Sequence, residues 1–327
     1  FAMNEFLITA STAENGQITP SGESVVNCGE SITYNIIPNA GYYLDSLYVD
    51  GESVIPVLSY TFSNVVENHN IRPVFAIYEY QITAVSNAGG AVSLSSSNVQ
   101  YGGQVTVDII PDDCYHLDSL IVDGQSVALS ESYTFAHVTG DHDLRAVFAI
   151  DEYTVNAVAV QNGQISPVGE SIVNCGESIA YTITPNDGYH LESLLVDGVS
   201  VTPTLTYTFE NVNANHTILP TFALNRYRIV SSANFGGSVS PMLTTVPYGG
   251  NTTITISPRN CYHLDSLFVD GVSVELSGAY TFSDISEDHT LRAVFAISSY
   301  TVVAEDAENG FISPSGSTSV TCVKSRS

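Results

Sequence analysis

The sequence predicts an all-β protein: a tandem array of small antiparallel β modules, each a β-sandwich or grasp-like sheet, rod-shaped and with almost no helix. Three observations predict it. First, the stretch PNDGYHLESLLVDGVSVTPTLTYTF (Pro185 to Phe209) recurs as PNAGYYLDSLYVDGESV…SYTF from Pro38, PDDCYHLDSLIVDGQSV…SYTF from Pro111 and PRNCYHLDSLFVDGVSV…AYTF from Pro258. Self-similarity at a fixed period decides architecture before any local assignment. Second, Leu, Leu and Val alternate with Asp or Glu, Ser and a variable residue, as on a half-buried strand, before Asp-Gly closes a tight hairpin. Third, no stretch sustains a 3.6-residue period, and Pro and Gly punctuate every boundary.

The third copy shows the elements most fully, and six strands can be read in it. TVNAVAV (Thr154 to Val160) comes first, then an Asn-Gly turn and the short QISP (Gln164 to Pro167). ESIAYTITP (Glu177 to Pro185) alternates Ile, Tyr and Ile with polar residues. HLESLLV (His190 to Val196) ends at the Asp197-Gly198 turn. TYTFENV and HTILPTFAL, which closes at Leu224, complete the module, and one helical turn is expected near VNAN (Val212 to Asn215).

Phe6, Tyr80, Tyr153, Tyr227 and Tyr300 open successive units at steps of 74, 73, 74 and 73 residues. The boundaries follow: 1–5 as the last strand of a preceding repeat, repeats at 6–79, 80–152, 153–226 and 227–299, and a partial fifth at 300–327. FAMNEF at Phe1 matches FAIYEY, FAIDEY, FALNRY and FAISSY at the later boundaries, so the expectation is a window from a longer array. The VKSRS tail departs from the CGES that follows the earlier copies. A core of this size gives modest stability unless neighbours or covalent staples help.

Asp and Glu number 34 against 8 Lys and Arg, a formal charge of −26. Nucleic acid and anionic membranes need basic patches, so neither is an expected partner. The single lysine, Lys324, lies in the tail, which removes Lys-based catalysis and Lys–Asn isopeptide cross-links from the modules. No apolar run reaches the length of a membrane span, and no signal peptide stands at Phe1. Membrane insertion is therefore not expected.

An NGxISPSG opening, YGG or CGE, then TITPxxGYHLxSLxVDGxSV and YTFxNVxxNHTIxxxFA together resemble the divergent internalin-type B repeats of bacterial surface proteins. The resemblance covers essentially the whole chain. It implies extracellular or cell-surface tandem modules used as stalks or spacers, often beside adhesive domains, and implies no activity.

Five cysteines occupy two kinds of position. Cys28, Cys175 and Cys322 fill the slot that holds Tyr101 and Tyr248 in the other modules, whereas Cys114 and Cys261 fill the turn that holds Gly41 and Gly188. Odd modules carry the first kind and even modules the second, so the true repeat is the 147-residue doublet that separates Phe6 from Tyr153. Strand counting sends the first strand away from the junction with the previous module, the second back, and the third out again. That order predicts disulfides between Cys114 and Cys175 and between Cys261 and Cys322, and leaves Cys28 to an upstream repeat or another chain. Pairing Cys28 with Cys114 and Cys175 with Cys261 would ask distant ends to meet; free buried thiols are the remaining alternative. A loop of this size closed by a disulfide gains about 4 kcal/mol in the chain-entropy model, and disulfides place the chain outside the cytosol. Stiffness should then alternate, the unstapled junctions relying on a small, mostly polar contact.

Histidines recur at His116, His190 and His263 in YHL, and at His69, His142, His216 and His289 before the last strand. None has a second His at ligand spacing, and Tyr43 replaces the first kind, so structural roles are expected, with the preceding Asn or Asp satisfying turn amides. Asp50, Asp123, Asp197 and Asp270 read as hairpin residues, since no DxDxDG loop accompanies them. Glu79, Asp151 and Glu152 at module junctions are the alternative place for a calcium ion. No nucleophile–base arrangement recurs; no enzyme activity, catalytic residue, metal or cofactor is expected. Nineteen tyrosines without a tryptophan keep a glycan-binding array as an alternative. The primary expectation is a stalk or fibre whose partners are neighbouring repeats or subunits. A third alternative has terminal half-repeats completing one module between subunits by strand exchange.

Overall fold

The computed structural model describes residues 4–305, 308–310 and 312–322; Phe1 to Met3 and the VKSRS tail lie outside them. It divides into two compact units, Phe1–Asp151 and Glu152–Ser327. None of the described residues is helical, and the VNAN segment is irregular, with one bend at Ala214, rather than the expected turn of helix.

In the first module eight strands replace the six read from sequence: β1 (Glu5–Ala10), β2 (Gly16–Thr19), β3 (Gly22–Asn27), β4 (Ile32–Pro38), β5 (Tyr42–Val49), β6 (Glu52–Val54), β7 (Ser59–Phe62) and β8 (His69–Ile77). The two extra strands are β3 and β6. β3 follows β2 after only Pro20 and Ser21 and is a polar edge strand; β6 is the three-residue return arm of the Asp-Gly hairpin. β6 is too short to mark a strand in sequence, and β3, though six residues long, lacks the apolar alternation.

Two sheets form, ordered β3-β1-β8-β5-β6 and β2-β4-β7. Every pairing is antiparallel except one. β1 runs parallel to β8, with Ile8 opposite His69 and Ala10 opposite Ile71, and the other whole modules repeat this. The pairing has a topological consequence. When the first and last strands are parallel, a module is entered at one end and left at the other.

Alternation then fills the space between the sheets. Ile8, Ala10, Val26, Leu47, Val49 and Ile71 point inward from the larger sheet, and Ile18, Tyr34, Ile36 and Phe62 from the smaller. Each such aliphatic side chain contributes about 1.5–3 kcal/mol on burial. The other three whole modules have core clusters of their own. Beyond them, Ser299–Ala304 pairs antiparallel with Gly316–Thr321, as β1 pairs with β3.

The Asp-Gly hairpin is clamped to β8. Asp50 and Gly51 both have positive φ, 54° and 87°, the geometry of a type I′ turn. The Asp50 carboxylate accepts Nδ1–H of His69 at 2.7 Å and the amide of Asn70 at 2.8 Å, and the His69 ring stacks on Phe62 at 4.8 Å. Asp123–His142, Asp197–His216 and Asp270–His289 repeat the clamp. Partial desolvation raises the Asp50 carboxyl, but the hydrogen bonds from His69 and Asn70 and the histidine's charge outweigh it and hold the group below its usual range. Asp197 and Asp270 have the same balance; for Asp123 the amide of Asp143 is the largest influence.

A carboxyl whose pKa is lower in the fold stabilises the fold above its unfolded value, about 3.9, and the gain disappears as pH falls through the folded value. The clamp carboxylates are nearly half exposed, so solvent screening limits each to about 0.5 kcal/mol. Replacing all four with Asn keeps the left-handed conformation and an acceptor oxygen but removes the charge. Thermal melts between pH 7 and pH 2 should show the quadruple variant less stable at neutral pH and less sensitive to acid than the parent. Equal acid sensitivity would show that the clamps do not set it.

Candidate functional site at the module junctions

The last strand of one module and the first of the next are separated by a single residue: Tyr78, Asp151, Asn225 or Ser298. In the first unit the amide of Tyr78 donates to the carbonyl of Gly41, in the turn after β4, at 2.9 Å, and its carbonyl accepts the amide of Tyr101, in the next module, at 2.9 Å. In the second unit Asn225 links Gly188 to Tyr248, and Ser298 links Cys261 to Cys322, through bonds of 2.8 and 2.9 Å. Within the first unit, the amide of Asp151 donates to the Cys114 carbonyl at 2.8 Å, and the Cys28 amide donates to the Asn4 carbonyl at 2.8 Å.

The strand order explains who meets. β3 returns antiparallel along β1, with Asn27 opposite Glu5, and so delivers residue 28 to the entry end. The returning strand is β3 and not β2, as strand counting had it. β4 then runs out to the turn at Gly41, beside the exit of β8, where Tyr42 pairs with Ile77.

Side chains close the same two positions in two ways. Cys261 and Cys322 form a disulfide, their Cα atoms 5.2 Å apart, so the alternative Cys175–Cys261 pair is not formed. Cys114 and Cys175 each take part in a disulfide, whereas Cys28 is an exposed free thiol. Where glycine holds the turn, tyrosine holds the slot, and the two pack tightly. A Cβ placed on Gly41 would fall into the ring of Tyr101, and one on Gly188 into the ring of Tyr248. The unstapled junction is therefore an apolar ring-on-backbone contact, not the mostly polar one expected from sequence. In the sequence, Gly and Tyr alternate with the cysteines at both positions together, and that joint alternation is the signal that they touch.

The turn takes a left-handed conformation throughout, with φ of 84° and 80° at Gly41 and Gly188 and 68° and 70° at Cys114 and Cys261. Glycine adopts it freely, and cysteine at a cost of roughly 1–2 kcal/mol. The cross-link offsets that cost.

The YHL histidines lie at the same place. His116 Nδ1–H donates to Asp151 at 2.7 Å and His190 to Asn225 at 2.7 Å, while His263 lies 3.4 Å from Ser298 and Tyr43 packs on Tyr78 at 5.0 Å. Asp151, weighed for calcium, is engaged by His116. The Asn or Asp before the other histidines bonds not its own turn but the first strand: Asn68 accepts the Leu7 amide at 2.8 Å, and Asp141, Asn215 and Asp288 act alike. Among the described residues no three His, Cys, Asp or Glu side chains converge as a metal site would require. On the outer sheet face of the fourth module a cleft of about 330 Å³ is lined by Val230, Ser232, Phe268, Thr290 and Arg292, the guanidinium 4.6 Å from the Phe268 ring centre.

A family model described as "Divergent InlB B-repeat domain" matches residues 6–78, 80–152, 153–226 and 227–299. No curated protein matches the chain. Among solved structures, the Bacillus anthracis TIE protein aligns with 10% identity over 89% of this chain and 67% of that one, at a TM-score of 0.32; at that score the likeness carries no argument.

Non-reducing peptide mapping should recover a Cys261–Cys322 cross-linked peptide, and a thiol reagent added to the unreduced native protein should label Cys28. Labelling of Cys261 or Cys322 before reduction would contradict the junction geometry.

Proposed function

Because the chain belongs to the family of divergent InlB B-repeat domains, four of them in tandem, we propose that it is the structural repeat region of an extracellular bacterial surface stalk or fibre. The observation that carries this reading is the one-residue linker held at both its N–H and its carbonyl. A linker without slack, bonded at both ends, resists bending, and that resistance is what a spacer must supply. Modules set length, junctions set stiffness, and the acidic surface keeps chains soluble and mutually repelling. Disulfides make some junctions sensitive to reductant while Gly–Tyr junctions are indifferent to it. The exposed Cys28 thiol occupies the same slot and is available to a turn cysteine of an upstream repeat or another chain.

One observation favours a second reading, a glycan-binding array: the aromatic, hydroxyl and guanidinium groups around the Phe268 cleft suit a sugar ring. Pulling single molecules separates the two. A stalk should unfold module by module, releasing roughly 250 Å per step for about 73 residues at 3.3–3.6 Å each. Reductant should add roughly 200 Å for the 61-residue Cys261–Cys322 span. Extension without discrete steps would sink the stalk reading, and a clear hit on a glycan array, abolished by Arg292→Ala, would establish the second.

A further inference from the structure

We propose that the turn residue and the slot residue form a docking code that restricts which module end accepts which module start. A Gly turn takes a Tyr slot, a Cys turn takes a Cys slot, and mixed pairs are refused. The interaction surface is the turn after β4 together with the one-residue linker. Its partner is a module start carrying the matching side chain, and the inference holds whatever load or ligand the chain bears.

Sterics supply the first half of the code. Both backbones are pinned by the linker, whose N–H binds the turn carbonyl and whose carbonyl binds the slot amide. The Tyr101 and Tyr248 rings lie so close to Gly41 and Gly188 that a Cβ there would overlap ring carbons. A Cys turn has that Cβ, so it cannot seat against a Tyr slot unless the ring is displaced or the linker bonds break. Removal of the ring supplies the second half. A Gly turn facing a Cys slot has neither an aromatic ring to cover the turn nor a second thiol, leaving only the two backbone bonds. The Cys turn facing a Cys slot is closed covalently, as at Cys261 and Cys322. The strict odd–even alternation of the chain is the expected outcome of such a code, because a module exchanged for its neighbour would meet a mismatch on both sides.

Variants of the full chain test it. Gly51 has φ of 87° with nothing within 4 Å of a built Cβ, whereas Gly41 has φ of 84° with the Tyr101 ring in place. Gly41→Ala and Gly51→Ala therefore share the backbone strain and differ only in the clash. Amide exchange at Tyr78 should accelerate at least tenfold in Gly41→Ala and stay within twofold of the parent in Gly51→Ala. The Gly41→Cys/Tyr101→Cys chain should acquire a disulfide between the two substituted positions in most molecules, restoring slow exchange at Tyr78 until reductant is added. Equal exchange in the two alanine variants would overturn the steric half of the code. A double-cysteine variant with parental circular dichroism and two free thiols at those positions would overturn the covalent half.

Discussion

The junctions inside each unit hang on one backbone residue that donates its N–H to the module behind and accepts at its carbonyl from the module ahead. Tyr78, Asn225 and Ser298 do this with the same partners, turn and slot, at nearly the same distances. The arrangement is possible only because β1 and β8 are parallel. An antiparallel pair would return the chain to the end it entered, and the turn after β4 would never face the next module. Two backbone hydrogen bonds contribute about 1 kcal/mol each net, which is little for holding two small domains. The side-chain lock supplies the rest, and it lies where the backbone has already brought the two positions together.

That lock has two chemistries on one geometry. Tyrosine seats its ring on a glycine whose missing side chain makes room for it, at no cost in backbone conformation. Cysteine must hold a left-handed φ near 70°, a strain that makes sense only with a covalent partner. The doublet extends inward too. Tyr34 and Tyr181 fill the core of odd modules where Val107 and Ile254 stand in even ones, all four fully buried. Odd and even modules are thus distinct parts with distinct cores as well as distinct ends.

Much of this was legible in the sequence, and the omissions have physical causes. The period, the all-β class and the Asp-Gly turns declare themselves because alternation and turn chemistry are local. β3 escaped because an edge strand buries little: Val25 is 64% exposed and Ile172 71%, so their apolar character follows no inward pattern. The parallel pairing is not local at all, since β1 and β8 are joined by a whole module. The Asp50–His69 clamp joins residues 19 apart across a hairpin, and in the sequence each has a sufficient separate role. At the junctions the sequence displayed two alternating positions but not their contact. Cysteine invites a pairing argument, whereas glycine opposite tyrosine does so only once the carbonyl and amide that hold them are seen.

The linker bonds, closed by their lock, keep the modules on either side of Tyr78 and Asn225 docked. Site-resolved amide exchange of the native chain tests this most directly. The amides of Tyr78, Tyr101, Asn225 and Tyr248 should exchange at least a hundredfold more slowly than in an unstructured chain, as core amides of β8 do. If those four amides exchange at unprotected rates while the cores stay protected, the junctions are open hinges and the account is wrong.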